Sequence, residues 1–339
     1  MKLIKIILFV AIAAIIYSFL PMIKFMTIPA ASKEDNNQSN IEKLKNNQGA
    51  YFSFIIFGDN HAGFSINDAS TIKEIWHMNR EDRFRKIPID FVLSVGDVSL
   101  NGARKHFEAF KKLQKLIKYP VIAAIGNHDS SLLFNEYCGI KEFTFVNRNS
   151  FFIVLDNEAG ELSEKQFEWF ESKLKEGTRY AHIFVILHKP PFDPYQQEWY
   201  NMDNSPWAYE FRKLCAEYRV DMVFTGHKHM FKSQKFDGVE YIVTGGGGMI
   251  TEMPEKDGGY LHYVRVMVNH DYVTYEVRKV TPPLWTQFIY YFWKEAVYWA
   301  RNFYGSGYIF NVNRKHEPAR VKQLNDDEYW VINKNPAVE

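Results

Sequence analysis

From Tyr51 onward, short apolar runs alternate with stretches in which apolar residues return every three or four positions. Phe52–Phe57, Phe91–Val95, Val121–Ile125, His182–Leu187 and Met222–Thr225 are too short for stable helices and almost wholly apolar, which predicts strands buried on both faces. Ala103–Lys118, Ser163–Lys175 and Ser205–Tyr218 between them have helical spacing. Ser163 and Ser205 are placed as N-caps, and Pro206 stands at a first helical position. Strand–helix alternation predicts an α/β sandwich. Beyond Gly226 the pattern changes to Tyr241–Thr244, Tyr260–Val268 and Tyr272–Val277, with Asn269-His270-Asp271 as a turn. These are expected to be antiparallel hairpin strands of a mixed second sheet. No repeat of 20–50 residues is present.

Three segments depart from this rhythm. Ile6 to Ile23 is an uncharged stretch of 18 residues behind Lys2 and Lys5. That is near the lower limit for spanning a bilayer, and the flanking charge places the N-terminus in the cytoplasm. Pro29-Ala30-Ala31-Ser32 offers a cleavage site, so residues 1–31 are expected to be a signal anchor or a signal peptide. Either way the body is exported, to a membrane-anchored, secreted or periplasmic location. Residues 32–50 are polar and predict a flexible linker. Residues 51–281 make the globular domain, and 282–339 a C-terminal appendage ending in a polar tail. In that appendage Trp285, Phe288, Ile289, Phe292, Trp293, Ala296, Trp299, Ala300 and Phe303 share one face of a helix over 284–303. Packing of this face against the sandwich is expected; the other reading puts it in a membrane interface.

Composition narrows the function. The 339 residues hold 41 Lys+Arg and 40 Asp+Glu, a net +1 that lacks the basic excess of a dedicated nucleic-acid binder, so no nucleic-acid partner is expected. Cys138 and Cys215 are too few and too far apart for a disulfide framework or a thiolate metal cluster. They leave one disulfide or two buried thiols.

The chemistry stands at the strand ends. The first three runs are followed by Gly58-Asp59-Asn60-His61, Gly96-Asp97 and Gly126-Asn127-His128-Asp129. The fourth ends in His188, and the fifth in Gly226-His227-Lys228-His229. In open α/β sheets the binding crevice lies outside the carboxyl ends of the strands, so one rim collects these side chains. The glycines are expected to allow sharp exit turns. Carboxylate, amide oxygen and imidazole without thiolate suit Mn, Fe or Zn, and the donors are too many for one ion but fit two sharing a carboxylate.

The order DxH, GD, GNHD, H, GHxH resembles the calcineurin-like metallophosphoesterases over about Phe52 to Val280. The resemblance implies a four-layer α/β/β/α sandwich of two mixed sheets and two metal ions per chain. It implies Asp59, His61 and His229 on one ion, Asn127, His188 and His227 on the other, and Asp97 bridging. It further implies a metal-bridging hydroxide as nucleophile, His128 protonating the leaving oxygen or steadying the phosphoryl charge, and Asp129 orienting His128. Purple acid phosphatases lack a histidine at the position of His61 and add a tyrosine ligand, which points away from that branch. His188-Lys189-Pro190-Pro191 and the run Gly245–Gly248 are similar to the cyclic-nucleotide phosphodiesterase and acid-phosphatase-like branches, although Lys189 replaces a histidine frequent in the former.

The implied activity is hydrolysis of a phosphomonoester, phosphodiester or pyrophosphate outside the cytoplasm. Its substrate would be a phosphorylated small molecule, a nucleotide or nucleotide sugar, or a lipid head group. A non-enzymatic scaffold on the same fold and a nuclease of the superfamily are the alternatives. Phe192 to Trp207 is placed as a lid or a surface insertion, and Arg104 and His106 as solvated helix positions with a possible phosphate contact.

Overall fold

The computed structural model describes residues 23, 25–29, 32–81, 87–194, 206–251 and 253–304. The apolar N-terminal stretch up to residue 22, the cap at Ser205, most of the 192–207 loop and the polar tail lie outside these residues. Among the described residues no helix is long and apolar enough to cross a membrane.

The five apolar runs become the parallel centres of two sheets. In the first, β1 (Phe52–Phe57), β2 (Ile89–Ser94) and β3 (Val121–Ala123) run parallel. The hairpin β10 (His262–Asn269) and β11 (Tyr272–Lys279) adds antiparallel beside β1, giving the order β11-β10-β1-β2-β3. The second sheet has the order β4-β5-β6-β7-β9-β8. Its strands are β4 (Phe143–Asn147), β5 (Ser150–Val154), β6 (His182–Ile186), β7 (Met222–Thr225), β8 (Phe231–Phe236) and β9 (Val239–Thr244). Here β5, β6, β7 and β9 are parallel, and the edges β4 and β8 antiparallel. The expected hairpin strands are thus divided: β9 serves the second sheet, while β10 and β11 complete the first.

Alternation along each strand builds four layers. Phe52, Phe54 and Ile56 face the partner sheet, whereas Ile55 and Phe57 face helices. Between the sheets Phe54, Phe91, Phe145, Phe152, Phe184 and Phe224 interlock; Phe145 and Phe152 stack at 4.6 Å and Phe54 meets Phe152 edge-on at 5.3 Å. Each such contact adds about 0.5–1.5 kcal/mol beyond burial, so part of the aromatic excess is core. Helices α2 (Ser65–Met78), α3 (Arg104–Leu116) and α4 (Ser131–Tyr137) cover the first sheet. Helices α5 (Glu164–Gly177) and α6 (Pro206–Glu217) cover the second. Ser163 caps α5 in a reciprocal capping box with Gln166, and Pro206 opens α6. Cys138 and Cys215 are both buried and free.

The expected flexible linker is instead docked. Asn37 opens the short helix α1 (Asn37–Glu42), and its amide donates to Ala123 O and Ile140 O, both at 2.9 Å, while its Oδ1 accepts from Ala123 N at 2.8 Å. Asn40 donates to Val121 O at 2.9 Å. Strand β3 is a sheet edge whose backbone groups need partners, and two asparagine side chains supply them in place of another strand. Polar composition here signals pairing with backbone, not freedom from it.

Helix α7 (Leu284–Tyr304) forms where a helix is expected, but its polarity is inverted. Thr286, Tyr290 and Lys294 face the body, while Phe288, Phe292 and Trp293 face outward. Phe288, Phe292 and Trp293 of the ring-rich face thus turn away from the sandwich they were expected to pack against, and the inner side meets Thr251, the carbonyl of Gly259 and, through Tyr290, the apolar cluster of the first sheet.

Candidate metal centre

All nine side chains singled out from the motifs stand on loops leaving the carboxyl ends of β1, β2, β3, β6 and β7. Four of these residues adopt left-handed backbone: φ is 58° at Asp59, 43° at His61, 50° at Asp97 and 66° at His227. Such conformations cost about 1–3 kcal/mol each and persist where surrounding contacts over-determine them. The glycines serve two ends. Gly96 has φ +109°, as an exit turn requires, but Gly126 and Gly226 matter because they lack a Cβ. One at Gly126 would lie 2.2 Å from Asp97 Oδ1, and one at Gly226 2.3 Å from Asp59 Oδ2. The sharp-turn expectation is therefore corrected at these two positions to close approach of backbone and carboxylate.

Three groups of donors lie within 4.8 Å of one another: Asp59, His61 and His229; His61, Asp97 and His128; Asp97, His188 and His227. Asp97 Oδ2 is 3.5 Å from His61 Nε2 and 3.3 Å from His188 Nε2, so it stands between the two sides of the cluster. Asn127 Oδ1 is 3.1 Å from His188 Nε2, on the second side, and His229 Nε2 is 3.6 Å from Asp59 Oδ1, on the first.

The donor set fits two divalent cations. Both ring nitrogens of His61 are buried without a hydrogen-bond partner among the described residues. Burial lowers the His61 pKa to about 3 against the pull of Asp97, so the ring is neutral at neutral pH and one of its nitrogens offers a lone pair. His188 behaves oppositely: burial alone would lower it, but the charge and hydrogen bond of Asp97, together with Asp59 and the Val95 carbonyl, outweigh that and raise it to about 9. Asp97 is held well below the carboxylate range by His188 despite burial. His188 Nδ1 is 2.9 Å from the carbonyl of Val95, which can only accept, so Nδ1 carries a proton and Nε2 is turned inward.

His128 is exposed, as is the neighbouring Asn127, and its ring lies 4.6 Å from that of His61. Its Nδ1 is 3.1 Å from Leu100 O, which fixes Nε2 as the nitrogen open to exchange a proton. Asp129 was expected to orient this ring and does not. Its carboxylate accepts from the amides of Val98, Ser99 and Gly126 at 3.2, 2.8 and 3.0 Å, tying the β2 and β3 loops together. Burial first, then Asp97, raises Asp129 to about 7. Of the two helix positions, Arg104 is exposed and paired with Glu136 at 2.6 Å, whereas His106 is buried against Gly63.

Two supporting elements were not anticipated. Asn157 Oδ1 accepts from the amides of His188 and Lys189 at 2.9 and 3.1 Å, clamping the ligand segment after β6. The glycine run backs the first loop: Gly247 N donates to Gly58 O at 2.8 Å and Met249 N to Asp59 O at 3.1 Å. A lone Asn after a strand carries no sequence signal, but the four glycines did mark a close approach.

A profile of the calcineurin-like phosphoesterases matches residues 52–231, more than half the chain. The chain belongs to that family, whose members depend on two metal ions. The 3',5'-cyclic adenosine monophosphate phosphodiesterase CpdA of Escherichia coli K12 is 24% identical over 166 residues, 46% of this chain and 60% of that enzyme. The probable glycerophosphodiester phosphodiesterase GpdQ of Arcobacter nitrofigilis is 28% identical over 116 residues, 30% of this chain and 42% of that one. The chain thus spans less than two thirds of these curated relatives. In fold it is similar to the purple acid phosphatase PPD1 of yellow lupin, with a TM-score of 0.53, 18% identity, and coverage of 68% of this chain and 52% of that one.

Proposed function

We propose that this protein is a two-metal phosphoesterase that cleaves a phosphodiester, and alternatively a monoester or pyrophosphate, outside the cytoplasm at or near a membrane. The observation that carries the reading is the position of the buried Asp97 between two donor sets, one on each side of its carboxylate. When bound, Mn, Fe or Zn ions in these sets would supply Lewis acidity toward the phosphoryl group and lower the pKa of a bound water. The chain's own residues do the rest. Asp59, His61 and His229 hold one side, and Asn127, His188 and His227 the other. His128, exposed at the mouth, presents Nε2 to the leaving oxygen as general acid. Phosphodiesters come first because both bacterial relatives named above are described as phosphodiesterases. Nucleotides, nucleotide sugars and lipid head groups fall within that chemistry. The extracytoplasmic location rests on Lys2 and Lys5 before the apolar stretch.

The test is a panel of soluble monoesters, diesters, nucleotide sugars and phospholipids, with Mn, Fe and Zn added singly to the metal-stripped protein. Hydrolysis is expected with at least one pairing and is abolished in Asp97→Asn with circular dichroism unchanged. Full activity in Asp97→Asn overturns the assignment.

A further inference from the structure

Helix α7 hides polar residues and displays aromatic ones. Its inward stripe, Thr286, Tyr290 and Lys294, repeats every four residues, and each is held by a polar contact. Thr286 Oγ1 donates to Pro283 O at 2.9 Å, the Tyr290 hydroxyl lies 3.1 Å from Thr251 Oγ1, and Lys294 Nζ donates to Gly259 O. Outward, Phe288 is 82% exposed, Phe292 60% and Trp293 51%, with Leu284, Ile289 and Tyr291 alongside. The rings touch each other more than the body: Phe288 and Phe292 stack at 6.4 Å, and Phe292 meets Trp293 edge-on at 6.1 Å. A surface helix of a free-standing domain buries its apolar face. Taking one such side chain out of water contributes about 1.5–3 kcal/mol, and a contiguous apolar patch of this kind marks an interaction surface.

Charge and connectivity select the occupant. Helix α7 packs against α2, the neighbour of α3 in the layer over the first sheet. On α2, α3 and α4 the charged side chains left at least partly exposed are Lys73, Arg104, Lys105, Lys112 and Lys115 against Glu108 and Glu136, the last paired with Arg104. On α5 and α6, over the other sheet, six glutamates face four lysines. The basic side of the molecule is therefore the side that carries α7. The uncharged stretch Ile6–Ile23, long enough to span a bilayer, ends two residues before Phe25. Phe25 is buried in the same core cluster as Tyr290, with Lys112 Nζ 5.9 Å from its ring centre. Phe25, just past the apolar stretch in sequence, thus lies on the side of the aromatic face and the positive layer.

We propose that the outward face of α7 lies in the interfacial zone of an anionic lipid bilayer, with α2 and α3 turned toward the head groups. Aromatic side chains suit that zone, and each nearby Lys or Arg adds about 1 kcal/mol of attraction to an anionic surface. The seating is tied to the site's rim, because Tyr290 meets Thr251 just beyond the loop that backs Asp59. It goes beyond the catalytic reading and holds whether or not the site hydrolyses phosphoesters.

The experiment uses the full chain reconstituted into vesicles of phosphatidylcholine with about a third phosphatidylglycerol. An environment-sensitive fluorophore is placed on Phe292→Cys or, on the opposite layer, on exposed Glu168→Cys; the native cysteines are buried. At position 292 the emission is expected to shift to the blue, iodide quenching to fall severalfold, and doxyl-labelled lipid to quench. At position 168 none of these is expected, and adding Phe288→Asp weakens the lipid quenching at 292. Equal iodide access at the two positions overturns the proposal. So does shielding of 292 from iodide without quenching by doxyl-labelled lipid, in a dimer (a second copy covers the face) or in a monomer (another part of this chain does). No hydrolysis is read, so this result and that of the phosphoester panel stand apart.

Discussion

Asp97 and His128 divide the work of the site by exposure. Asp97 is fully enclosed, ion-paired with His188, and its Oδ1 also accepts the amide of His128 at 2.8 Å, so one carboxylate sets both the donor cluster and the backbone of the His128 loop. His128 reaches the mouth with one nitrogen spoken for by Leu100 O. Its replacement should therefore touch turnover and not assembly. His128→Ala is expected to lower kcat about 10²–10⁴-fold while metal content by elemental analysis stays the same; equal loss of both would remove its acid role. These residues were legible because the chemistry needs particular donor types at strand ends, and a string such as Gly-His-Lys-His keeps that record in one dimension. The role of Asp129 was not legible. Adjacency in sequence suggested contact with His128, but the turn sends its carboxylate back to three amides.

Elements away from the motifs decide stability. The α1 asparagines close the open edge of β3, and Asn37→Ala would leave Ala123 N–H and C=O each short of a partner. We expect a loss of about 2–3 kcal/mol in urea unfolding, where a flexible linker would give none. Between α2 and α7, Glu74 is wholly buried with neither carboxylate oxygen hydrogen-bonded among the described residues. Burial raises its pKa well above 4.5. The folded state then keeps a proton that the unfolded state releases, so the contribution of this group to stability is greatest below about pH 4.5 and declines as pH rises toward the folded pKa, by up to about 1.4 kcal/mol per pH unit. Glu74→Met should remove that decline: its unfolding midpoint exceeds the wild type's at pH 8, and the gain shrinks toward acid. A gain independent of pH would mean that packing, not ionisation, is responsible. The apolar strands β1 and β7 were read to the residue because a strand buried on both faces is a continuous apolar word. Strand β8 was not, since FKSQKF at a sheet edge is half solvated and has no such word.

At the scale of the whole molecule, two sheets from distant parts of the chain deliver donors to one rim, so ion binding should tie them together. Metal at about a hundredfold over Kd contributes about 2.7 kcal/mol to folding by linkage. The melting temperature by calorimetry should rise several degrees with Mn or Zn, fall back on chelation, and fail to rise in Asp97→Asn. The net charge of +1 conceals a division that only the folded molecule displays, a basic helix layer over one sheet and an acidic one over the other. What the sequence alone determined was local: strand cores from apolar runs, helix starts from caps, and the donor inventory from motif order. Tertiary structure decided which sheet received β10 and β11, that the polar 32–50 segment docks, and which face of α7 turns outward. Each of these depends on the partner surface across the contact, and a periodic pattern states that a face is apolar without stating what it meets.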